Sequence, residues 1–581
     1  MSRTIRTLVL KDAYKQHTLD QDKILSPRET VRRFREKLQT IDLDILSHTR
    51  RIDNGRLDIP VFFSVCGKDA FSLTGTKKQM GKGATVEQAE ASATIELGER
   101  FSFFSFYHNP ENFLTGRYRD LKGDALPFEM IARSVHDETG DIDAAKTIFE
   151  TMDLRWTWGY NLTQDKPVII PFDWFYAINE FNGTSAGNCV EEALCQGICE
   201  VVERHVSALI SQNRLSVPLI DPGSAQDPMT VKMFEKYAGS GIRLFISDFT
   251  LDMGIPTVGV LAFDPSTFPE KSEIVWTAGT TPGPEKALSR ALTETAQLAG
   301  DFNTGSNYVA SGLPKFASMT EAEFITKSKT LINIKNLPDI SSNNFKVEVE
   351  NCIGALLKKD MNVIAVNTTH PLLDLPAFYT IVPGCHFRER ALGTEVGMFC
   401  AKLVAERLPP PLALAQLKKI DAVLKNKYYV QFYMGTCLIS MENFKEALLF
   451  LHRALELDPN PQDVPSIYSY MGVCHKEMGE YHIALESLKK GIVLDSERTD
   501  IHNLMGFCYF KLGENEKAIR CFQEVIRLDP GSAIDYANIA SNYRDLGQTE
   551  KAIAYYKAAL DIDPTIGFAL ENLEKLAGAV K

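Results

Sequence analysis

The chain has 581 residues, more than one hydrophobic core accommodates, so two to four domains are expected. An apolar fraction of 44% and a charged fraction of 24% are those of ordinary globular protein and exclude disorder on a large scale. The formal net charge of −12 argues against nucleic acid as an obligate partner, because phosphate backbones need a basic footprint. An anionic cofactor would need a counter-ion.

Residues 1–25 are polar with scattered basic side chains and read as neither signal peptide nor anchor. No window reaches the roughly 18 uninterrupted apolar residues of a membrane span. The eleven cysteines, odd in number and scattered, fit reduced thiols in the cytoplasm. Cys189, Cys195 and Cys199 form one local cluster whose spacing fits no common zinc pattern, so they read as buried small side chains.

Residues 21–40 read as a helix entered through Ser26-Pro27, with Val31, Phe34 and Leu38 as its apolar stripe and Lys23 ahead of it. Residues 59–73, IPVFFSVCGKDAFSL, read as a hairpin turning at Gly67-Lys68-Asp69. The loop Gly81-Lys82-Gly83 then leads through a capping box, Thr85 to Gln88, into a helix bearing Glu96-Leu97-Gly98-Glu99-Arg100. Glu96 and Glu99, three apart, share a face. Strand signals return over 156–178, and the turn Asn182-Gly183-Thr184 is expected to set Ser185 and the next helix's N-terminal amides against an anion.

That next helix, 184–204, is the segment around which the rest is organised. On a helical wheel Ser185, Asn188, Glu192, Gln196, Glu200, Glu203 and Arg204 fall in one sector, opposite Val190, Leu194, Ile198, Val201 and Val202. The ordinary reading is a solvated polar face. Solvated faces, however, mix Lys with Glu four apart, and this one has no Lys. It also repeats the ExxER signature, Glu200-Val201-Val202-Glu203-Arg204. Apolar runs of strand type follow at 242–248, 257–263 and 274–278. They lead into a third helix, 284–298, with Arg290, Glu294 and Gln297 on one side. Strands and helices alternate in an α+β domain to about residue 408.

Pro409-Pro410-Pro411 marks a boundary, with 409–427 read as a linker. Beyond it the chain repeats. Gly435, Gly472, Gly506 and Ala540 recur at spacings of 37, 34 and 34, and Ala447, Ala484, Ala518 and Ala552 keep the same spacings. Pro459, Pro530 and Pro564 close three units, with Ser496 in the slot of the other. Small residues where two helices touch, repeated every 34 residues, are the tetratricopeptide pattern: four units over 428–581 with a terminal helix, forming an all-α solenoid with a concave binding face.

Gathering Glu96, Glu99, Glu192, Glu200, Glu203 and Glu294 in one cleft is costly unless cations neutralise them. Mg²⁺ is the natural candidate, since it takes few carboxylates at a time and completes its shell with water and phosphate. Arg204, Arg290 and Lys23 would offset phosphate charge. There is no Walker loop: Gly81-Lys82-Gly83 lacks its spacing.

The segments SAGNCVEEALCQGICEVVERHV, GKGATVEQAEASATIELGERFS, ALSRALTETAQ and YTIVPG together resemble the YcaO family over residues 21–405, behind an arm of residues 1–20, and in particular its members with C-terminal helical repeats. The resemblance implies a fold in which glutamates from several helices coordinate Mg²⁺ around ATP, and phosphorylation of a backbone amide oxygen during cyclodehydration or thioamidation. Position by position it implies that Lys23, Thr30, Ser185, Asn188, Gln196, Arg204 and Arg290 contact ATP and that Glu96, Glu99, Glu192, Glu200, Glu203 and Glu294 serve the metals. It leaves the catalytic side chain unassigned. The expected partner is a protein or peptide substrate held by the repeats, with a TfuA-type protein or a methylthiotransferase as further partner, a homodimer as one allowed assembly, and no nucleic acid or membrane. An alternative is a non-catalytic accessory protein, for example in ribosomal-protein methylthiolation. The chain ends LAGAVK, unlike the PxPxP-type ends of azoline-forming members.

Overall fold

The computed structural model describes residues 7–121, 123–305, 308, 310, 312–387 and 394–579, with side chains as far as 576. Residues 580 and 581 of the LAGAVK end lie outside the described residues, as do residues 1–6 of the arm. The chain forms two compact units. One comprises the described residues of 1–139 and 149–396, the other those of 140–148 and 397–581.

The first unit opens with helix α1, Pro27–Gln39, for which Ser26 supplies the cap by accepting from the Glu29 amide at 3.3 Å. Strands β1 (Leu46–Arg51), β2 (Val61–Cys66) and β3 (Lys78–Lys82) form an antiparallel sheet in that order. The expected hairpin at Gly67 is not formed. Residues Lys68–Thr74 are helix α2, and Gly67 is its N-cap, because the Asp44 carboxylate and carbonyl take the first amides of the helix and a Cβ at Gly67 would lie 2.4 Å from the Asp44 carbonyl oxygen. The partner strand of β2 therefore starts only at Lys78. Helix α3, Val86–His108, begins at Thr85, whose hydroxyl accepts from the Gln88 amide at 3.2 Å as the capping box predicts.

A second sheet runs β4 (Leu114–Gly116), β5 (Leu154–Asn161), β13 (Ile364–Asn367), β14 (Ala377–Ile381) and β7 (Thr184–Ala186), with β6 (Lys166–Pro171) paired to β5. The third has the order β11 (Val275–Thr280), β10 (Thr257–Phe263), β9 (Arg243–Asp248), β8 (Leu219–Ile220) and β12 (Leu331–Ile332). Helices α4 (Val190–Gln212), α5 (Pro284–Ala299) and α6 (Phe345–Leu357) complete the set needed below. Helix α5 lies on the third sheet through buried Ala287, Leu288, Ala291 and Leu292 against Val258 and Val260. The approach is close at Gly279, where a Cβ would lie 2.4 Å from the Ala287 carbonyl.

The segment 184–204 is divided differently from its expected single helix. Thr184–Ala186 is strand β7, laddered to β14 with Ser185 opposite Phe378, and α4 starts only after Cys189, whose sulfur caps the Glu192 amide at 3.4 Å. Its polar face is not solvated: Glu192 is 3% exposed and Glu203 5%.

The second unit consists of helix pairs. Tyr428–Ser440 with Phe444–Glu456, Val464–Glu477 with Tyr481–Leu494, Thr499–Lys511 with Asn515–Leu528 and Ala533–Asp545 with Thr549–Ile562 are followed by a last helix, Gly567–Ala579. Each repeat-defining glycine sits where its two helices meet: a Cβ would lie 3.0 Å from Leu451 at Gly435, 2.5 Å from Leu488 at Gly472 and 2.7 Å from Phe522 at Gly506. Within the stretch read as a linker, Pro410–Val423 is itself a helix with Pro409 at its N-cap position, where a missing amide costs nothing. Among the described residues no helix is long and apolar enough to cross a membrane.

Candidate functional site

A cavity of about 430 Å³ in the first unit is walled by α3, α4 and α5, floored by β3 and the 280–283 turn, and bordered by residues 21–30 and the start of α6. The acids Asp22, Glu96, Glu99, Glu192, Glu200, Glu203, Glu294 and Glu348 line it together with Lys23, Lys78, Lys82, Arg100, Arg204, Lys286 and Arg290, so acids exceed bases by one. All six glutamates expected at a metal are brought together here. Of the expected nucleotide contacts, Lys23, Thr30, Asn188, Gln196, Arg204 and Arg290 line it as well.

Ser185 does not. Its hydroxyl is fully buried beneath α4, where it and the Thr380 hydroxyl face Gly197, and neither has a hydrogen-bond partner among the described residues. The position is set by β7, whose alternation turns Ser185 away from the cavity.

Each acid closes on a base or an amide. Lys23 Nζ stands 3.2 Å from Glu192 Oε1, while the Ile24 amide donates to Glu192 Oε2 and Asn188 Nδ2 to Oε1. Thr30 Oγ1 in turn donates to Asn188 Oδ1 at 3.0 Å, linking α1 to the start of α4. Arg100 grips Glu96 with Nη2 and Nε at 2.8 and 3.1 Å and reaches Glu99 at 3.5 Å. Arg204 stands 3.9 Å from Glu200 and 4.0 Å from Glu203, and Arg290 donates from Nη1 to Gln196 Oε1 at 3.2 Å. The Thr280 amide donates to Glu203 Oε2 at 3.1 Å, and Lys82 pairs with Glu294.

This crowding perturbs the ionisation of the groups. Burial, reinforced by Glu96, holds the Glu99 carboxyl well above the usual carboxylate range despite Arg100. Burial also raises Glu200 against the pull of Arg204 and Arg100, and burial with the nearby Arg290 brings the Lys82 ammonium down to about 7. A cluster of buried acids in which Glu99 and Glu200 are held above the usual carboxylate range is the donor chemistry a divalent cation relieves. Among the described residues no three acids, cysteines or histidines stand together as a ready-made cage. Glutamates of α3, α4 and α5 would hold such a divalent cation, which would supply positive charge to an anionic phosphate chain.

Several cavity residues lay outside the sequence reading. Arg100 closes the first ExxER signature, whose spacing points to its two glutamates. Lys82 was visible as the basic residue between two glycines, a signal too short to weigh. Glu348 and Asp22 meet through Lys15, whose buried ammonium stands 2.5 and 2.7 Å from them, a pairing over 333 positions that leaves no local trace. Cys195 and Cys199 line the cavity, and Cys352 of α6 hydrogen-bonds to both. The contact with Cys199 and burial raise the Cys195 thiol well above its ordinary value, which fits the reading of buried small side chains.

Comparison with known proteins matches residues 80–386 to the family model described as YcaO cyclodehydratase, ATP- and Mg²⁺-binding. Residues 497–565 match a tetratricopeptide-repeat model and residues 440–525 that of anaphase-promoting complex subunit 3. An uncharacterized protein of Methanothermobacter thermautotrophicus is 27% identical over 379 residues, 62% of this chain and 93% of that one. The ribosomal protein S12 methylthiotransferase accessory factor YcaO of Escherichia coli K12 is 29% identical over 245 residues, 38% of this chain and 40% of that one. A heterocyclase solved in complex with substrate and cofactor superposes with a TM-score of 0.56 at 22% identity over 66% of this chain. The match spans 55% of the heterocyclase's length, and the likeness is one of fold.

Proposed function

This chain belongs to the YcaO family, whose ligands are ATP and Mg²⁺, and on that premise we propose that it activates a backbone amide of a peptide or protein by phosphorylation, for cyclodehydration or thioamidation-type modification. The observation that carries the reading is the convergence of Glu96 and Glu99, Glu192, Glu200 and Glu203, and Glu294 from three helices, with Arg204, Arg290 and Lys23 among them. When bound, ATP would supply the γ-phosphoryl group, and the glutamates would hold Mg²⁺, which would offset the charge on its oxygens.

The protein's own part is positioning and charge. Lys23, Arg204 and Arg290 hold anionic oxygens, and Asn188 and Gln196 orient them. The cavity lining holds no Ser/His or Cys/His pair, and its two thiols are kept protonated, so the attacking group is read as coming from the substrate or a small co-substrate. In the proposed reaction that group adds to the amide carbon, the resulting oxyanion takes the phosphoryl group with loss of ADP, and phosphate then leaves as the nitrogen or nucleophile gives up its proton.

The repeats, a kind of domain that binds proteins, are read as recruiting the substrate, with a TfuA-type protein or a methylthiotransferase as further partner. The similarity to the Escherichia coli accessory factor favours the second reading, in which bound ATP assembles partners without turnover. Purified protein with ATP and Mg²⁺ separates the two. The enzyme reading requires ADP release that rises with a peptide substrate, and nucleotide binding with no turnover under any peptide supports the accessory role. If Glu200→Ala and Glu203→Ala bind nucleotide as tightly as the parent, the site assignment is wrong.

A further inference from the structure

Lys82 is aimed by its neighbours. A Cβ at Gly81 would lie 1.9 Å from the Ala93 nitrogen, and one at Gly83 2.6 Å from the Ala89 nitrogen. The end of β3 is thus pressed onto the α3 backbone through two positions that admit only hydrogen. Side chains alternate along a strand, so Lys82, between them, is driven to the opposite side and into the cavity. Its ammonium meets Glu294 there and feels the charges of Arg290, Glu203, Glu96 and Arg204 nearby.

Its chemistry differs from that of the arginines in the cluster. Arg100 grips Glu96 through two nitrogens of a planar fork. A lysine ammonium is a compact point charge on a flexible four-carbon stem, the side chain that most resembles a mobile cation and exchanges partners at least geometric cost. A divalent ion seated on Glu294 would meet this charge at close range, in a site that screens poorly.

We propose that Lys82 is a tethered counter-cation that holds Glu294 while the nucleotide site is empty and passes to a phosphate oxygen when ATP binds, leaving Glu294 to Mg²⁺. The inference rests on the reading of this cavity as an ATP and Mg²⁺ site. Its consequence is an order of events: metal gains full access to the glutamates only when a phosphate is present to take the ammonium, so metal and nucleotide bind with positive coupling and the nucleotide-free protein holds divalent ions weakly.

The experiment uses the full chain at pH 6 and Mn²⁺ as probe, with free Mn²⁺ read by electron paramagnetic resonance in the absence and presence of a non-hydrolysable ATP analogue. Lys82→Met removes the charge and keeps the length. Without nucleotide, Lys82→Met is expected to bind Mn²⁺ at least about tenfold more tightly than the parent, because a like charge beside the ion is gone. With nucleotide, that advantage disappears and the analogue itself binds less tightly. The double variant Lys82→Met with Glu294→Gln returns nucleotide-free Mn²⁺ binding to the weak parental level. Unchanged or weaker Mn²⁺ binding by nucleotide-free Lys82→Met overturns the proposal while leaving the ATP site standing, provided the parent binds the analogue. If the folded parent, checked by circular dichroism, binds neither Mn²⁺ nor the analogue, the ATP and Mg²⁺ reading fails and this inference with it.

Discussion

Arg290 on α5 stands with Nε 3.6 Å from Glu203 Oε2 on α4, so two helices 87 positions apart in their key residues share one ion pair inside the cavity. The same carboxylate oxygen accepts the Thr280 amide, which anchors it to the end of β11.

Because a glutamine oxygen can still accept from Thr280, Glu203→Gln removes charge while keeping the anchor. We expect it to lower nucleotide affinity in Mg²⁺ by at least about tenfold, roughly 1.4 kcal/mol. Arg290→Met should do the same. Isothermal titration calorimetry checks both, and affinities within twofold of the parent would remove these residues from the nucleotide site.

Glu99 carries a testable pH signature. Its folded-state pKa is raised by burial and by Glu96, so the folded chain holds a proton that the unfolded chain releases once pH exceeds the ordinary glutamate value. Stability from this group is therefore lost as pH rises. Glu99→Gln, which can still accept the Thr184 hydroxyl that Glu99 holds at 2.6 Å, should raise the ligand-free melting temperature more at pH 8 than at pH 4.5. An equal shift at both pH values would contradict the raised pKa.

Gly197 on α4 faces the hydroxyls of Thr380 and Ser185, and a methyl group there would come within 2.4 and 2.7 Å of them. The Thr380 Cβ, fixed by its strand, would itself lie 3.2 Å from that methyl, so rotating the hydroxyl does not clear the space. Gly197→Ala is expected to push α4 off β7 and β14, costing about 1–3 kcal/mol as overpacking does. Since α4 carries Glu192, Glu200 and Glu203, nucleotide affinity should fall in the same variant. Chemical denaturation and calorimetry would test the two effects together, and a stable, tightly binding Gly197→Ala would refute this packing.

His136, His205 and His386 stack outside the cavity, the first and last with ring centroids 3.4 Å apart, and the His386 amide donates to His205 Nδ1 at 2.9 Å. Burial and its two neighbours bring His205 down to about 3, and burial with His136 brings His386 to about 4. A depressed histidine pKa means that the unfolded chain takes up protons first. Stability is complete above the ordinary histidine value near 6.5 and falls as pH drops from there toward 4, with a slope from His205 of up to about 1.4 kcal/mol per pH unit. His205→Asn keeps an acceptor for the His386 amide and removes the titration. It should flatten the loss of stability between pH 6.5 and 4.5 in urea denaturation, and an unchanged slope would rule the cluster out as its source.

What the sequence by itself determined is what has a local signature. The 34-residue register of Gly435, Gly472, Gly506 and Ala540 places the repeats, since the small residue where two helices meet recurs with them. The wheel of 188–204 and the two ExxER signatures identify the acids, because a 3.6-residue period puts them on one face whatever they face. Tertiary structure alone decided which atoms oppose that face. Ser185 shares the acids' sector on the wheel, yet β14 draws it into a ladder that turns its hydroxyl under Gly197. Gly67 reads as a turn, yet Asp44, 23 positions earlier, makes it a helix cap. Lys82 reads as an ordinary loop lysine, yet its flanking glycines meet the α3 backbone and send it among glutamates from three helices. Periodicity is set by a residue's own helix or strand, whereas a charge's partner is set by whichever distant backbone packs beside it, and no local pattern encodes that neighbour.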